Sequence, residues 1–282
     1  MKQEKKARKV ILAVAPVGRD IIPPSMNPLT PESVAREVIR CAEAGAGMVH
    51  LHVRDQKGKL TADLTDFSKT VDLIRKSSDI VIQGSTGGLS TLTLEERCTA
   101  LNDKRVEVAS LNMGSVNFGD EVYINTLSDI RYWVKRMKKA KVVPEIEIFE
   151  VGMIPAAQKI MEERVLTPPY HYNFCLGFRW AMPADAGGLF SLTSRIPKGS
   201  LWGLVHDKMS DLSLLGVALG MGAGIVRVGF EDSVRYSTNA VARKNVELVA
   251  RLASMIRFMG LEVASPDDAR KMMGIHRRKS RS

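Results

Sequence analysis

Residues 48–55 read MVHLHVRD. The run begins apolar and β-rich and ends in Arg54 and Asp55, the pattern of a buried strand leaving for a polar loop. Its two histidines, His50 and His52, are two apart. Side chains at that spacing on a strand share a face, so both imidazoles look the same way near the strand's end. Similar runs recur at 9–15, 79–84, 106–113, 143–149, 170–177, 200–206 and 224–230. Between them lie helical stretches near 31–45, 65–77, 93–101, 126–140, 153–163, 184–195, 210–221 and 239–260. Thr30-Pro31-Glu32 makes a helix start, with an N-cap hydroxyl, proline at N1 and an acid in the first turn. Gly45 and Gly260 stand where helix C-caps belong. Eight such alternations predict a parallel sheet with crossover helices. With 282 residues, the chain suits an α/β fold closed as a (β/α)8 TIM barrel of roughly 250 residues. "SPDDARKMMG", 265–274, predicts a short capped helix after the barrel. Residues 1–282 thus read as one barrel domain with basic tails at both ends.

Composition narrows the function. No apolar run approaches the roughly 20 residues of a membrane helix, and the basic N-terminus is not followed by a signal-peptide core. Cys41, Cys98 and Cys175 are scattered and odd in number, which suits a reducing, cytoplasmic setting. The formal charge is +10. Much of it sits in Lys2, Lys5, Lys6, Arg8 and Lys9 at one end and Arg277, Arg278, Lys279 and Arg281 at the other. Such runs read as solvated tails rather than a nucleic-acid surface. The remaining excess favours an anionic small molecule. Trp133, Trp180 and Trp202 read as packing residues, and Met209 and Met221 as fillers of core gaps.

In a barrel of this kind, chemistry sits at the C-terminal strand ends. At the second strand, two neutral imidazoles at HxH spacing can share one metal ion; the alternative is that each only hydrogen-bonds a neighbour. The eighth strand ends in Arg227-Val228-Gly229-Phe230-Glu231-Asp232. Barrel closure brings it within one strand of the second, so Glu231 can complete a two-histidine, one-carboxylate set with open coordination positions. Asp232 then reads as a general base and Arg227 as its charge partner, against the alternative of a solvated acidic pair. The third strand runs into Ser85-Thr86-Gly87-Gly88, whose backbone and hydroxyls can approach an anion. The fourth carries Ser110 and Asn112. The fifth carries Glu145 and Glu147 on one face, where buried acids need a cation, a metal or a proton.

"HLHVRD", "STGG", "ASLNMGSVNFG", "VVPEIEIFEVGM" and "VRVGFEDS" occur in this order. Together they resemble the β-keto acid cleavage enzymes, over nearly the whole chain from "LAVAP" to "ASPDDARKMMG". The resemblance implies a zinc-dependent, homo-oligomeric barrel (dimer or tetramer) that converts a β-keto acid and acetyl-CoA into acetoacetate and a new acyl-CoA. The ion is zinc or another divalent metal. It implies His50, His52 and Glu231 as metal ligands and Asp232 with Arg227 as the proton-abstracting pair. Ser85, Thr86, Gly87, Ser110, Asn112 and Glu147 would bind substrate. Neither nucleic acid nor membrane is an expected partner.

Three positions depart from the family pattern. Members acting on amino-substituted substrates carry a glutamate just after the first strand, where this chain has Gly18. That implies a neutral or differently charged substrate, with Arg19 or Asp20 as a candidate partner for it. A Gly-Gly pair after the sixth strand is replaced by Arg179 and Trp180. The seventh strand ends in His206-Asp207-Lys208-Met209 instead of Gly-Ile-Gly-Arg. Those loops would shape access for CoA, either blocking the thioester or holding it through Lys208. A rival function is an aldolase, lyase or hydrolase on the same metal site without CoA. A second rival, from another class, is a basic nucleic-acid-binding protein on a barrel scaffold.

Overall fold

The computed structural model describes residues 7–18, 22–23, 25–89, 91–166 and 168–276. Arg19, Asp20 and most of the basic tail residues lie outside the described residues. Eight strands form the barrel: β1 (Lys9–Val14), β2 (Met48–Leu51), β3 (Val81–Gly84), β4 (Val108–Asn112), β5 (Val143–Ile148), β6 (His171–Leu176), β7 (Leu201–His206) and β8 (Ile225–Val228). Each pairs in parallel with the next, and β8 returns to β1 with Ile11 opposite Ile225 and Val14 opposite Val228. The expected (β/α)8 barrel is therefore closed.

The helices are α1 (Pro31–Glu43), α2 (Thr65–Arg75), α3 (Leu127–Ala140), α4 (Met153–Glu162), α5 (Ala186–Thr193), α6 (Ser213–Gly220), α7 (Asn245–Phe258) and α8 (Pro266–Met273). Thr30 caps α1 as its sequence requires, accepting from the Ser33 N–H, and Gly45 and Gly260 follow their helices with φ of 118° and 75°. The stretch expected as a helix at 93–101 is instead a 3-10 turn, Glu96–Asn102. Cys98, Thr99 and Asn102 are weak helix formers in so short a piece. Two antiparallel hairpins are inserted in loops at the barrel's C-terminal end. One pairs Val116–Phe118 with Glu121–Tyr123 after β4; the other pairs Arg235–Ser237 with Ala240–Val241 and delays the last long helix from the expected 239 to Asn245.

Two cores result. The larger lies between the strands and the helix ring and includes Val10, Leu12, Val49, Ile82, Leu111, Phe174 and Leu252. The smaller lies inside the barrel at its N-terminal end. Ile11, Ala13, Met48, Val81, Val108 and Ile225 meet there, and α8 plugs the opening with Ala269 and Met273. Ser265 caps α8 in a capping box with Asp268, and Gly274 ends it at φ 64°. Arg270, buried in α8, is held by Glu107 at 2.6 Å and Asp79 at 3.0 Å. Two residues counted with the N-terminal tail are built into the fold: Arg8 bonds the carbonyls of Ala223 and Leu219, and Lys9 pairs with Asp268 at 2.6 Å. Of the methionines read as core fillers, Met209 is buried while Met221 is exposed at the end of α6.

The plug closes the lower end largely with hydrocarbon, with the buried His171 of β6 bonded to the Met273 carbonyl, and most of the inward polar groups lie higher up. Met273→Ala should therefore cost about 2–5 kcal/mol. Urea denaturation measures it, and a loss below about 1 kcal/mol would show that α8 is not part of the core.

Candidate metal and active site

Above the plug, the inward positions turn polar. His50, Gln83, Ser110, Glu145, Asn173 and Arg227 are all buried. β2 ends at Leu51, earlier than expected, yet His52 keeps the side of His50. Their Nε2 atoms lie 3.3 Å apart. Glu231 enters from beyond β8. Gly229 makes this possible: a Cβ there would overlap the Ala15 carbonyl, and its φ is 146°. The chain then folds back, with the N–H groups of Asp232 and Ser233 bonded to the Gly229 carbonyl and that of Glu231 to the Ala15 carbonyl. Asn245, first residue of α7, ties the turn down by accepting from the Phe230 N–H and donating to the Pro16 carbonyl.

Glu231 Oε1 thus lies 3.4 Å from His52 Nε2 and 3.6 Å from His50 Nε2. Tetrahedral ligands about 2.0–2.1 Å from one ion sit about 3.3 Å from each other. The three atoms already have that spacing. Their chemistry also fits. His50 Nδ1 lies 2.7 Å from Gln83 Oε1. Gln83 presents its oxygen because its amide N–H donates to Glu145 Oε1, which also accepts from Asn173. His50 therefore carries its proton on Nδ1 and turns the Nε2 lone pair toward Glu231. Burial pushes both imidazoles toward the neutral form, His50 to about 3. Burial works against the Glu231 charge, yet its carboxyl lies well below the ordinary range; with both imidazoles neutral, Arg227 at 3.4 Å is the cation that keeps it ionised. A lone pair facing a buried anion calls for a cation between them. Among the described residues, this is the one group of three or more His, Cys, Asp and Glu able to hold a metal ion.

Beside it, Arg227 grips Asp232 through two bonds, Nε to Oδ2 at 2.9 Å and Nη2 to Oδ1 at 2.5 Å, and reaches Glu231 at 3.4 Å. Burial raises Asp232 to about 6, against the pull of Arg227. Asp232 is ionised at neutral pH yet basic enough to take a proton. The two acids are not a solvated loop pair: Asp232 is 4% exposed.

A cavity of about 640 Å³ opens over these groups. Ser85, Gly87, Asn112 and Glu147 line it together with His50, His52, Arg227, Glu231 and Asp232. Asn112 Nδ2 is buried without a hydrogen-bond partner, a donor waiting for an acceptor. Burial lifts Glu147 to about 8, so it is mainly protonated and can donate. Glu145 is likewise shifted up by burial, and amides rather than an arginine bond it. Thr86 and Ser110 do not line the cavity. They bond each other, Thr86 Oγ1 to the Ser110 carbonyl at 2.6 Å and the Thr86 N–H to Ser110 Oγ at 3.1 Å, and so lock β3 to β4.

Several lining or supporting residues had no signal in the sequence. Tyr123 comes from the hairpin after β4. Its hydroxyl accepts from the Gly88 N–H and from Arg97, leaving its own proton to give. Arg97 also bonds the Thr86 and Ile124 carbonyls and Asn125, and lies 4.1 Å from the Trp133 ring centroid. Gln83 sits mid-strand, where its type alone says nothing. Conversely, Arg179, Trp180, His206 and Lys208 do not line the cavity. Trp180 is 64% exposed and the Arg179 carbonyl accepts from the Gly119 N–H, so the bulky loop leans outward. Gln83→Ala should lower divalent-ion affinity about 10–100-fold by freeing the His50 ring. Competition with a chelator measures this, and unchanged affinity would refute the orienting role.

The chain matches the beta-keto acid cleavage enzyme family over residues 9–275. It is 36% identical to the 3-keto-5-aminohexanoate cleavage enzyme of Fusobacterium nucleatum subsp. nucleatum, covering 95% of this chain and 98% of that one. It is 31% identical to the 3-oxoadipate:acetyl-CoA acetyltransferase of Cupriavidus necator, covering 88% and 89%. Among solved structures, the binary complex of ObcA with oxaloacetate shares the fold with a TM-score of 0.77 at 21% identity, over 89% of this chain and 68% of that one. With match, strand order and polar strand ends in agreement, this chain belongs to the beta-keto acid cleavage enzyme family.

Proposed function

We propose that this protein is a zinc-dependent enzyme that converts a β-keto acid and acetyl-CoA into acetoacetate and a new acyl-CoA. The observation that carries this is the near-equilateral triangle of His50, His52 and Glu231 with the Arg227–Asp232 pair beside it. The spacing is that of tetrahedral zinc ligands. The names of relatives join β-keto acids with acetyl-CoA.

His50, His52 and Glu231 would hold the ion. A divalent metal there would supply Lewis acidity for the ketone and carboxylate of a β-keto acid. Asp232, kept anionic by Arg227, takes a proton from the carbon between those two groups. Asn112, Tyr123 and protonated Glu147 each have a hydrogen-bond donor to offer substrate oxygens. The resulting carbanion attacks the acetyl thioester carbonyl, a C–C bond forms and the CoA thiolate leaves. The thiolate adds to the original ketone, the bond from that carbon to the former carbanion breaks, and Asp232 returns its proton to release acetoacetate. Arg54, Lys57 and Lys59 along one side of the cavity give a positive edge suited to the CoA phosphates.

Three buried free thiols, Cys41, Cys98 and Cys175, support a cytoplasmic setting. Exposed Phe190 on α5, Val217 on α6 and Phe258 on α7 support a homo-oligomer.

Incubation with a panel of β-keto acids should consume acetyl-CoA and yield acetoacetate; cleavage that proceeds equally without CoA would favour an aldolase, lyase or hydrolase. Asp232→Asn should keep the metal and lose about 100-fold or more in kcat; a variant of normal rate removes Asp232 as the base. Because Asp232 works as its anion, kcat/KM should fall as pH drops through about 6, and a flat profile from 5 to 8 would contradict the assignment.

A further inference from the structure

The cavity's far side is apolar. Phe118 from the hairpin after β4, Phe149 after β5 and Phe178 after β6 all line it. Phe118 and Phe178 stack at 4.7 Å and 12°, and Phe149 lies 5.4 and 5.2 Å from them. These rings turn faces and edges to one another rather than forming an open cage around a cation. On the β1 side, Ile22 Cγ1 sits where a Cβ on residue 18 would be, so Gly18 offers no side chain and a buried isoleucine closes that wall. Asn27 is occupied with the Gly18 backbone, accepting from its N–H and donating to its carbonyl. Leu29, Leu60 and Leu89 extend the apolar lining.

The charges of the lining are otherwise engaged. Among the described lining residues the carboxylates are Glu147, Glu231 and Asp232. Glu231 faces the imidazoles, Asp232 is gripped by Arg227, and burial favours the protonated form of Glu147. Among the described lining residues the cations besides Arg227 are Arg54, Lys57 and Lys59, all in the loop after β2, with both lysines exposed to solvent. A charged group placed against the phenylalanines would lose water without gaining a partner among the described lining residues.

Building on the proposed function, we propose that the substrate's group beyond the ketone is uncharged and apolar, an alkyl or aryl chain that packs against Phe118, Phe149 and Phe178 with Ile22 closing the β1 side. The substrate's carboxylate and ketone meet the polar strand ends, and its remainder meets hydrocarbon.

Calorimetric binding to the metal-loaded full chain without acetyl-CoA tests this apart from turnover. The probes are 3-oxooctanoate, 5-amino-3-oxohexanoate and 3-oxoadipate. The alkyl acid should bind about 10-fold or more tighter than either charged acid. Phe178→Ala, with the parent's circular dichroism spectrum, should narrow that gap. Equal or tighter binding of a charged acid, no binding of any of the three, or a gap untouched by Phe178→Ala overturns the inference. Selective binding without acetyl-CoA-dependent turnover would instead sink the proposed function and leave the apolar preference standing.

Discussion

A single guanidinium holds the upper barrel together. Arg227 points inward from β8, 6% exposed, and two adjacent acids converge on it. Removing Arg227 would leave two buried carboxylates without their shared cation, at a cost of about 3–5 kcal/mol. Because Arg227 bonds Asp232 through two N–H groups along one edge of its planar fork, the carboxylate's direction as well as its ionisation is set. Glu231, one residue earlier, is aimed at the imidazoles by the same turn. One cation therefore orients both acids together, so that under the proposed function proton abstraction and ion binding could not be tuned independently.

The barrel separates two tasks along its axis. Its lower layer is mostly hydrocarbon sealed by α8, to which His171 of β6 bonds through the Met273 carbonyl, and its upper layers are amides, imidazoles and acids. The polar chain His50–Gln83–Glu145–Asn173 links them. Each member needs its neighbour's orientation, since a reversed Gln83 amide would oppose two acceptors at Glu145 and two donors at His50. The glutamates on β5 then play different parts although they are two residues apart. Glu145 is enclosed and anchors the amides, whereas Glu147 reaches the cavity. Burial raises both, which explains how two acids can share one face of a strand without a cation between them.

The loops after β6 and β7 show why residue size read in sequence is a poor guide to cavity shape. Arg179 and Trp180 replace small residues of the family pattern, yet the backbone bond from Gly119 to Arg179 turns that loop toward the β4 hairpin and outward. The mouth is shaped instead by Phe118 and Tyr123 of the hairpin after β4 and by Phe178 after β6.

The amino-acid sequence by itself determined the barrel, its helix caps and the pairing of HxH with Glu231-Asp232, because each depends on short-range periodicity or on neighbours one strand apart. It also placed Ser85, Asn112 and Glu147 at strand ends that prove to line the cavity. Thr86 and Ser110 looked equivalent to these, but only the register of β3 against β4 decided that they bond each other. Gln83, Arg97, Tyr123 and the phenylalanine wall were silent in sequence. Their roles come from contacts between residues about 20 to 60 positions apart, where direction and burial, not residue type, decide what a side chain can do.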